Sequence, residues 1–295
     1  QALIDAYGPV EALPANAVVE QEVTLPSGGT RSVYTLSEEH RVFIDSADVL
    51  LETEFSNEDY AGSLDEARPA LAYLPGQILY IHGRLEEARE RLTKVIERWP
   101  GKDEAAFAAS LIVDSWQDEE DLAKVRMFAG KYSRMSLGSS DAAMAKNMNF
   151  GNLEEGAAFK MAAMYIENGE REQAAEAFLS FMNDFPKSKH IKKAHYNAAN
   201  NYEIIGAVER ANELFRGYID KIERGTYEAD DQAWPIYERI AQNYASSLEL
   251  EEAVRYFEMV YQRSAQAEKA YEFAPAALYN AGFLRIGLGD HRGAA

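Results

Sequence analysis

Small and aromatic positions recur in one frame along most of the chain. Met161, Tyr165, Gly169, Ala174, Phe178 and Pro186 mark one unit, and Ala198, Tyr202, Gly206, Ala211, Phe215 and Tyr218 fall at matching offsets. Gly169 to Gly206 and Ala174 to Ala211 are both steps of 37. The frame continues through Ile240, Tyr244, Ala253, Phe257 and Val260, then through Ala281, Gly282, Gly289 and Ala294. An earlier copy holds Gly76, Leu79, Gly83, Ala88, Leu92 and Pro100. Between them, helices are predicted over Phe107–Trp116 and Leu122–Tyr132, but the break at Asp118-Glu119-Glu120 lacks the usual Gly. Residues 103–138 are therefore read as a degenerate unit.

Each unit reads as two helices and a tight turn. Gly at the turn reaches φ > 0 without strain. The Ala that follows lets the two helices approach. Pro100 and Pro186 stop the second helix, because Pro cannot continue one. Tyr165, Tyr202 and Tyr244 are placed to fill the space between helices. The N-terminal stretch is different. Val19, Val23 and Leu25 alternate with Glu20, Glu22 and Thr24, followed by Pro26-Ser27-Gly28-Gly29-Thr30 and Arg31–Leu36. That pattern predicts either a β-hairpin or an extended arm on the first helices. A hairpin there could cap the array or offer a partner an edge strand. Ser37 followed by Glu38 and Glu39 predicts a capped helix start, and Val42, Phe43, Ala47, Leu50 and Leu51 form its apolar stripe.

These residues resemble the tetratricopeptide repeat (TPR), whose consensus sets small residues, aromatics and a terminal Pro at these offsets. The steps of 37, 42 and 41 exceed the usual ~34 residues, so longer helices or loops absorb the excess. The resemblance implies an all-α, TPR-like helix–turn–helix solenoid, a right-handed superhelix. The arm would occupy residues 1–37 and the solenoid 38–295. The clearest units are 69–101, 155–187, 192–224, 234–266 and a truncated 275–295. The chain begins at Gln1 and stops in the expected first turn of a second helix, which predicts a longer native polypeptide. Phe-Pro-Lys-Ser at 185–188, Ala-His-Tyr-Asn-Ala-Ala at 194–199 and Glu-Arg-Trp-Pro at 97–100 are similar to bacterial envelope TPR proteins of the outer-membrane assembly, Tol–Pal and gliding-motility kinds.

Composition narrows the function. A net charge of −19 argues against nucleic acid, whose binding needs Lys and Arg against phosphate. It serves solubility or suits a cationic partner. With no Cys, thiolate metal sites are excluded. No apolar run is long enough for membrane insertion of this segment. The five histidines, His40, His82, His190, His195 and His291, lack helical zinc spacing and are expected to be solvated or capping. Asp45 and Asp48 read as a solvated face. No Gly-rich phosphate loop or nucleophile elbow is present, so the expectation is no catalytic residue, no metal and no cofactor. The basic run 187–193 reads as an inter-repeat loop with Ser188 capping the next helix, or as an anchor for an acidic segment.

The resemblance implies that first helices line a concave surface. Its positions map to Lys193, Tyr196, Asn197, Asn200 and Glu203, to Phe159, Lys160 and Gln242, and to Tyr279, Asn280 and Phe283. Asn amides can bond a peptide backbone through donor and acceptor. Lys193, Asn197 and Asn200 resemble part of the carboxylate clamp of chaperone-binding TPRs, without its full cationic set. The expectation is a non-catalytic scaffold for other proteins, periplasmic or outer-membrane-associated in a Gram-negative bacterium, with a cytoplasmic location also open. The alternative is a structural subunit of a self-assembling envelope assembly or filament.

Overall fold

A computed structural model describes residues 12–53, 58–228, 233–265 and 271–294. Residues 1–11 of the expected arm, and Ala295 at the end of the last expected unit, lie outside the described residues. The fold is the expected TPR-like array of helix pairs with an N-terminal hairpin. Among the described residues, no helix is long and apolar enough to cross a membrane. The chain divides into two compact units, residues 1–158 and 159–295.

The first unit opens with the hairpin. Strands β1 (Val19–Thr24) and β2 (Thr30–Tyr34) pair antiparallel, with Val23 opposite Arg31 and Thr24 opposite Thr30. Gly28 takes φ +86, which turns the chain so that the Gly29 carbonyl accepts the Leu25 N–H at 2.9 Å, and the Gly28 N–H donates to the Leu25 carbonyl at 2.9 Å to close the turn. The extended-arm alternative therefore falls. Helices α1 (Glu38–Glu52), α2 (Glu58–Ile81), α3 (Leu85–Arg98), α4 (Asp103–Asp118) and α5 (Leu122–Ser133) follow. The unit boundary lies within α6 (Asp141–Glu167). Ser37 caps α1 as expected, its Oγ accepting the His40 N–H. Helix α2 starts well before the predicted unit and carries Pro69 and Pro75 inside it.

Phe43, Ile78, Leu92, Val95, Ile112 and Tyr132 form the first core. Gly76 shows why the frame needs a small residue in the first helix. A Cβ there would sit 2.7 Å from Leu92 Cδ2 and 2.8 Å from its Cγ, so α2 and α3 could not pack as they do. The hairpin lies on the turns of this unit. The Tyr34 N–H donates to the His82 carbonyl at 2.9 Å, and the Ser27 N–H and Oγ both donate to the Glu120 carboxylate at 2.8 Å. Arg31 pairs with Glu119 at 3.5 Å.

The second unit holds the end of α6, then α7 (Arg171–Asp184), α8 (Ile191–Ile204), α9 (Val208–Glu223), α10 (Ala233–Ser246), α11 (Leu250–Ser264) and α12 (Ala274–Gly287). Its core is rich in rings: Tyr202, Phe215, Tyr218, Tyr237 and Phe257 are buried with Ile240 and Val260. Fully burying one such side chain stabilises the fold by roughly 1.5–3 kcal/mol.

Six first helices end in one motif. Gly83, Glu120, Gly169, Gly206, Leu248 and Gly289 all have positive φ. In each, the next residue's N–H returns five residues to a carbonyl, as in Arg84 to Leu79, Asp121 to Trp116 and Glu249 to Tyr244, all at 2.9 Å. This is the Schellman arrangement, and its left-handed residue is usually Gly. The degenerate break thus keeps the turn but uses Glu120 (φ +58), whose carboxylate is spent on Ser27 of the hairpin. Leu248 (φ +63) occupies the same place and is exposed.

Three expectations need correction. His40, His82 and His195 are buried rather than solvated. His82 Nδ1 lies 2.8 Å from the Ile78 carbonyl, and the His40 and His82 rings meet edge to face at 5.0 Å. Aromatic packing thus takes the imidazoles that charge alone would leave in water. Asp48 is not a free solvated carboxylate, because Arg91 grips both its oxygens at 2.7 and 2.8 Å. Ser188 does not cap α8: its Oγ accepts the His190 N–H two residues on, and the helix begins at Ile191. It orders the turn before the helix.

Candidate functional site

All eleven predicted partner-binding residues fall in the second unit. Helix α8 carries Tyr196, Asn200 and Glu203 at i, i+4 and i+7, hence along one stripe. Its opposite side, with Ala194, Ala198 and Ala199, is buried. The stripe faces Arg239, the only basic residue of α10. Arg239 Nη1 donates to the Tyr196 hydroxyl at 2.8 Å and Nη2 to Asn200 Oδ1 at 2.7 Å. Its Nε donates to Glu203 Oε1 at 3.3 Å, and Nη2 also reaches the other Glu203 oxygen. The guanidinium lies 4.8 Å from the Phe215 ring centroid, which adds a cation–π contact.

The network continues inward. Asn243 Nδ2 donates to Glu203 Oε1 and to Asn212 Oδ1, both at 2.9 Å. From the preceding helix α7, Arg171 donates to Asn201 Oδ1 of α8 at 3.2 Å, and Asn201 Nδ2 donates to the Asn197 carbonyl at 2.8 Å. Thus Tyr196, Asn200 and Glu203 are brought together, but by a residue of the protein itself. They join α8 to α10.

The other predicted residues are spread over α6, α8, α10 and α12. Phe159 is half-buried in a ring cluster with Phe178, Phe181 and His190, at centroid distances of 5.4, 5.3 and 5.1 Å. Lys193 is exposed with its Nζ 5.8 Å from the Phe159 ring, and Lys160 is exposed. Asn197 is half-buried, and Gln242 is exposed with Nε2 3.4 Å from Glu238 Oε1. Tyr279 and Phe283 stand exposed on α12, with Asn280 half-buried between them. Arg239 and Asn243 were missed by sequence reasoning. A lone Arg in a helix that faces the Glu-bearing stripe of its neighbour was the available signal.

Burial sets the chemistry around this surface. His195, behind α8, is held down to about 4 by burial first and the nearby Lys221 charge second. Its Nδ1 lies 3.2 Å from the Tyr227 hydroxyl, which burial pushes up to about 12. Tyr202 is pushed up to about 12 by burial and by its hydrogen bond to Glu176. Neutral, interlocked side chains of this kind fix helix positions. Among the described residues, no three His, Asp or Glu side chains are grouped so as to hold a metal.

Residues 157–188, the end of α6 with α7 and the turn after it, match the family model of the tetratricopeptide repeat. The chain carries a tetratricopeptide repeat. The match covers Phe159, Lys160 and the Gly169 turn. No curated protein matches the chain significantly. Among solved structures, BtubC (BKLC) from P. vanneervenii is 17% identical, with 88% of this chain and 87% of that one covered, at a TM-score of 0.39. A tetratricopeptide repeat protein from Parabacteroides merdae is 14% identical, with 88% and 90% covered, at 0.29. The pilF protein of Pseudomonas aeruginosa is 15% identical, with 78% and 88% covered, at 0.33. Likeness at this level says nothing about what the chain binds.

Proposed function

We propose that this chain is a non-catalytic scaffold of a bacterial cell-envelope complex, periplasmic or outer-membrane-associated, that docks other proteins on its first-helix surface. The TPR-like fold supports a protein-interaction role in general. The observation that carries the finer reading is the division of labour on that surface. Tyr196, Asn200 and Glu203 are locked by Arg239, so the helices are held in a fixed relation before any partner arrives. Lys160, Lys193, Gln242, Tyr279 and Phe283 remain exposed around them. A preformed surface loses less entropy on binding than one that must be ordered. Exposed Lys and Gln heads with two large rings offer polar and apolar contact to a peptide segment or a neighbouring subunit. The envelope setting rests on the phrases at 97–100, 185–188 and 194–199.

The test is co-purification from the source cells, with K193E plus Q242A as the perturbation. These side chains are exposed, so the fold is left intact, unlike Tyr196 or Asn200 replacements that would unlock Arg239. Partners in fixed ratio, lost in the double variant and recovered from the envelope fraction, are expected. Partners retained in full by the double variant would remove the assignment of the surface, and recovery from the cytosolic fraction would remove the envelope setting.

A further inference from the structure

The second unit gathers cations in a chain that is otherwise acidic. The 295 residues include 49 Asp and Glu, yet none falls between Asp184 and Glu203 or between Glu155 and Glu167. These two acid-free stretches meet in the structure. The Phe159 ring of α6 lies 5.1 Å from the His190 ring, and Lys193 Nζ of α8 lies 5.8 Å from the Phe159 ring. Lys160 follows Phe159, Lys189 precedes His190, and Lys187 stands just past Phe185, whose ring packs on Phe181 at 5.2 Å. Lys160, Lys187, Lys189 and Lys193 are all exposed, and among the described residues none of their side chains makes an ion pair or a hydrogen bond. Elsewhere an exposed cation of this chain finds a carboxylate within the fold, as Lys94 does with Glu90 at 2.8 Å. Lys192 turns aside and donates to the Glu228 carbonyl at 2.6 Å, and Asp184, the nearest acid in sequence, accepts Ser180 Oγ at 3.4 Å. The backbone beneath the lysines is fixed. The Ser188 N–H donates to the Phe185 carbonyl at 3.0 Å, the His190 N–H to Ser188 Oγ at 2.9 Å, and the Ile191 N–H to the Ser188 carbonyl at 3.1 Å. Helix α8 begins there, so the positive end of its dipole adds to the field of the lysines.

We propose that this cluster docks an acidic segment of a partner protein, its carboxylates on Lys160, Lys187, Lys189 and Lys193 and an apolar side chain between them against Phe159 and His190. The proposal rests on the reading of the first-helix surface as a docking face and names the chemistry of what docks. Charge complementarity carries it: four unpaired cations around half-buried rings call for several carboxylates spaced about an apolar group. The Asn-bearing stripe of α8 is not the recognition element, because Arg239 already holds Asn200 and because Lys187 and Lys189 lie on the turn before the helix. An anionic lipid surface fits less well. It would repel a chain of net charge −19, and half-buried rings do not protrude to enter it. Exposed ion pairs are individually weak and screened by salt, so four of them with one apolar contact give a dissociation constant of roughly 10–100 µM.

Fluorescence anisotropy of the whole chain with a short fluorescein-labelled peptide, Asp and Glu around one central Trp, reads this directly. The peptide should bind, and its affinity should fall about tenfold between about 50 and 300 mM salt. K187E plus K189E should weaken it by about tenfold or more, with unchanged circular dichroism. K124E plus K131E makes the same change of charge at exposed lysines of the first unit and should leave binding as it was. A counterpart peptide with Asn and Gln in place of the acids should not bind. No binding of the acidic peptide at about 1 mM overturns the proposal, as does equal binding by the chain and K187E plus K189E, or equal loss in both double variants. Sedimentation of the chain with phosphatidylglycerol vesicles in place of peptide binding would name lipid as the occupant, and self-association abolished by K187E plus K189E would name a second copy; either overturns it. If the peptide fails while heterologous partners still depend on Lys193 and Gln242, the scaffold reading stands with a partner of other chemistry.

Discussion

The contact between Arg239 and Glu203 makes the account quantitative. Their side chains are 24 and 19% exposed, so each ion is largely removed from water. Removing one partner from a fully buried pair costs about 3–5 kcal/mol, mostly because the other charge is left uncompensated. Partial exposure and the remaining Asn243 donor reduce this for R239M to about 2 kcal/mol. Loss of the Arg239 bonds to Tyr196 and Asn200 adds about 1 kcal/mol. E203Q removes the charge but keeps an acceptor and should cost about 1 kcal/mol. Once Arg239 is gone, the Glu203 charge has lost its chief counter-ion, so adding E203Q should cost little or even restore stability. Urea unfolding followed by Tyr and Trp fluorescence gives the three free energies. A coupling of about 1–2 kcal/mol between the two changes is predicted. Effects that add within about 0.5 kcal/mol would mean the residues are independent and the helices are not locked by this pair.

Other perturbations test other links. His195 carries a folded-state pKa of about 4, below the ordinary 6.5, so the unfolded chain binds the extra proton first. Its contribution is complete above about pH 6.5 and declines as pH falls toward 4, by about 1.4 kcal/mol per unit and roughly 3 kcal/mol in all. A difference titration of stability against H195Q should show that slope, and a flat difference would contradict the burial. L248G should raise stability by about 1 kcal/mol by relieving a left-handed residue at a turn that Gly83, Gly169, Gly206 and Gly289 make without strain. Thermal unfolding of L248G would show no gain if Leu248 were not left-handed. G76A should lose about 1–3 kcal/mol, because its Cβ meets the Leu92 side chain, and a neutral result would refute the close approach of α2 and α3.

Much of the fold was legible because its grammar is local. The turn glycines and the Ala positions carry steric requirements that a single residue type satisfies, so Gly169, Ala174, Gly206 and Ala211 locate two helix pairs without further help. The hairpin was legible from alternation and Gly28-Gly29, but its seat was not. Ser27 finds Glu120 at a sequence distance of 93, and no pattern on the strand names that partner. The same limit hid the site. Tyr196, Asn200 and Glu203 could be placed on one stripe from spacing alone. That Arg239 would take them depends on how α10 sits against α8, which the repeat frame leaves open. The buried histidines were misread because polarity is a poor guide where rings pack edge to face, as His195 does with Tyr218 at 5.6 Å.

Site-specific photo-crosslinking in the source cells tests the docking surface most directly. A photoreactive residue is placed at Lys193 or Gln242 on the first helices, and at Glu213 or Glu251 on second helices as controls; all four positions are exposed. Discrete adducts with a heterologous protein from positions 193 and 242, and none from 213 and 251, are predicted. Equal adducts from both faces, or none from the first helices, would contradict the account.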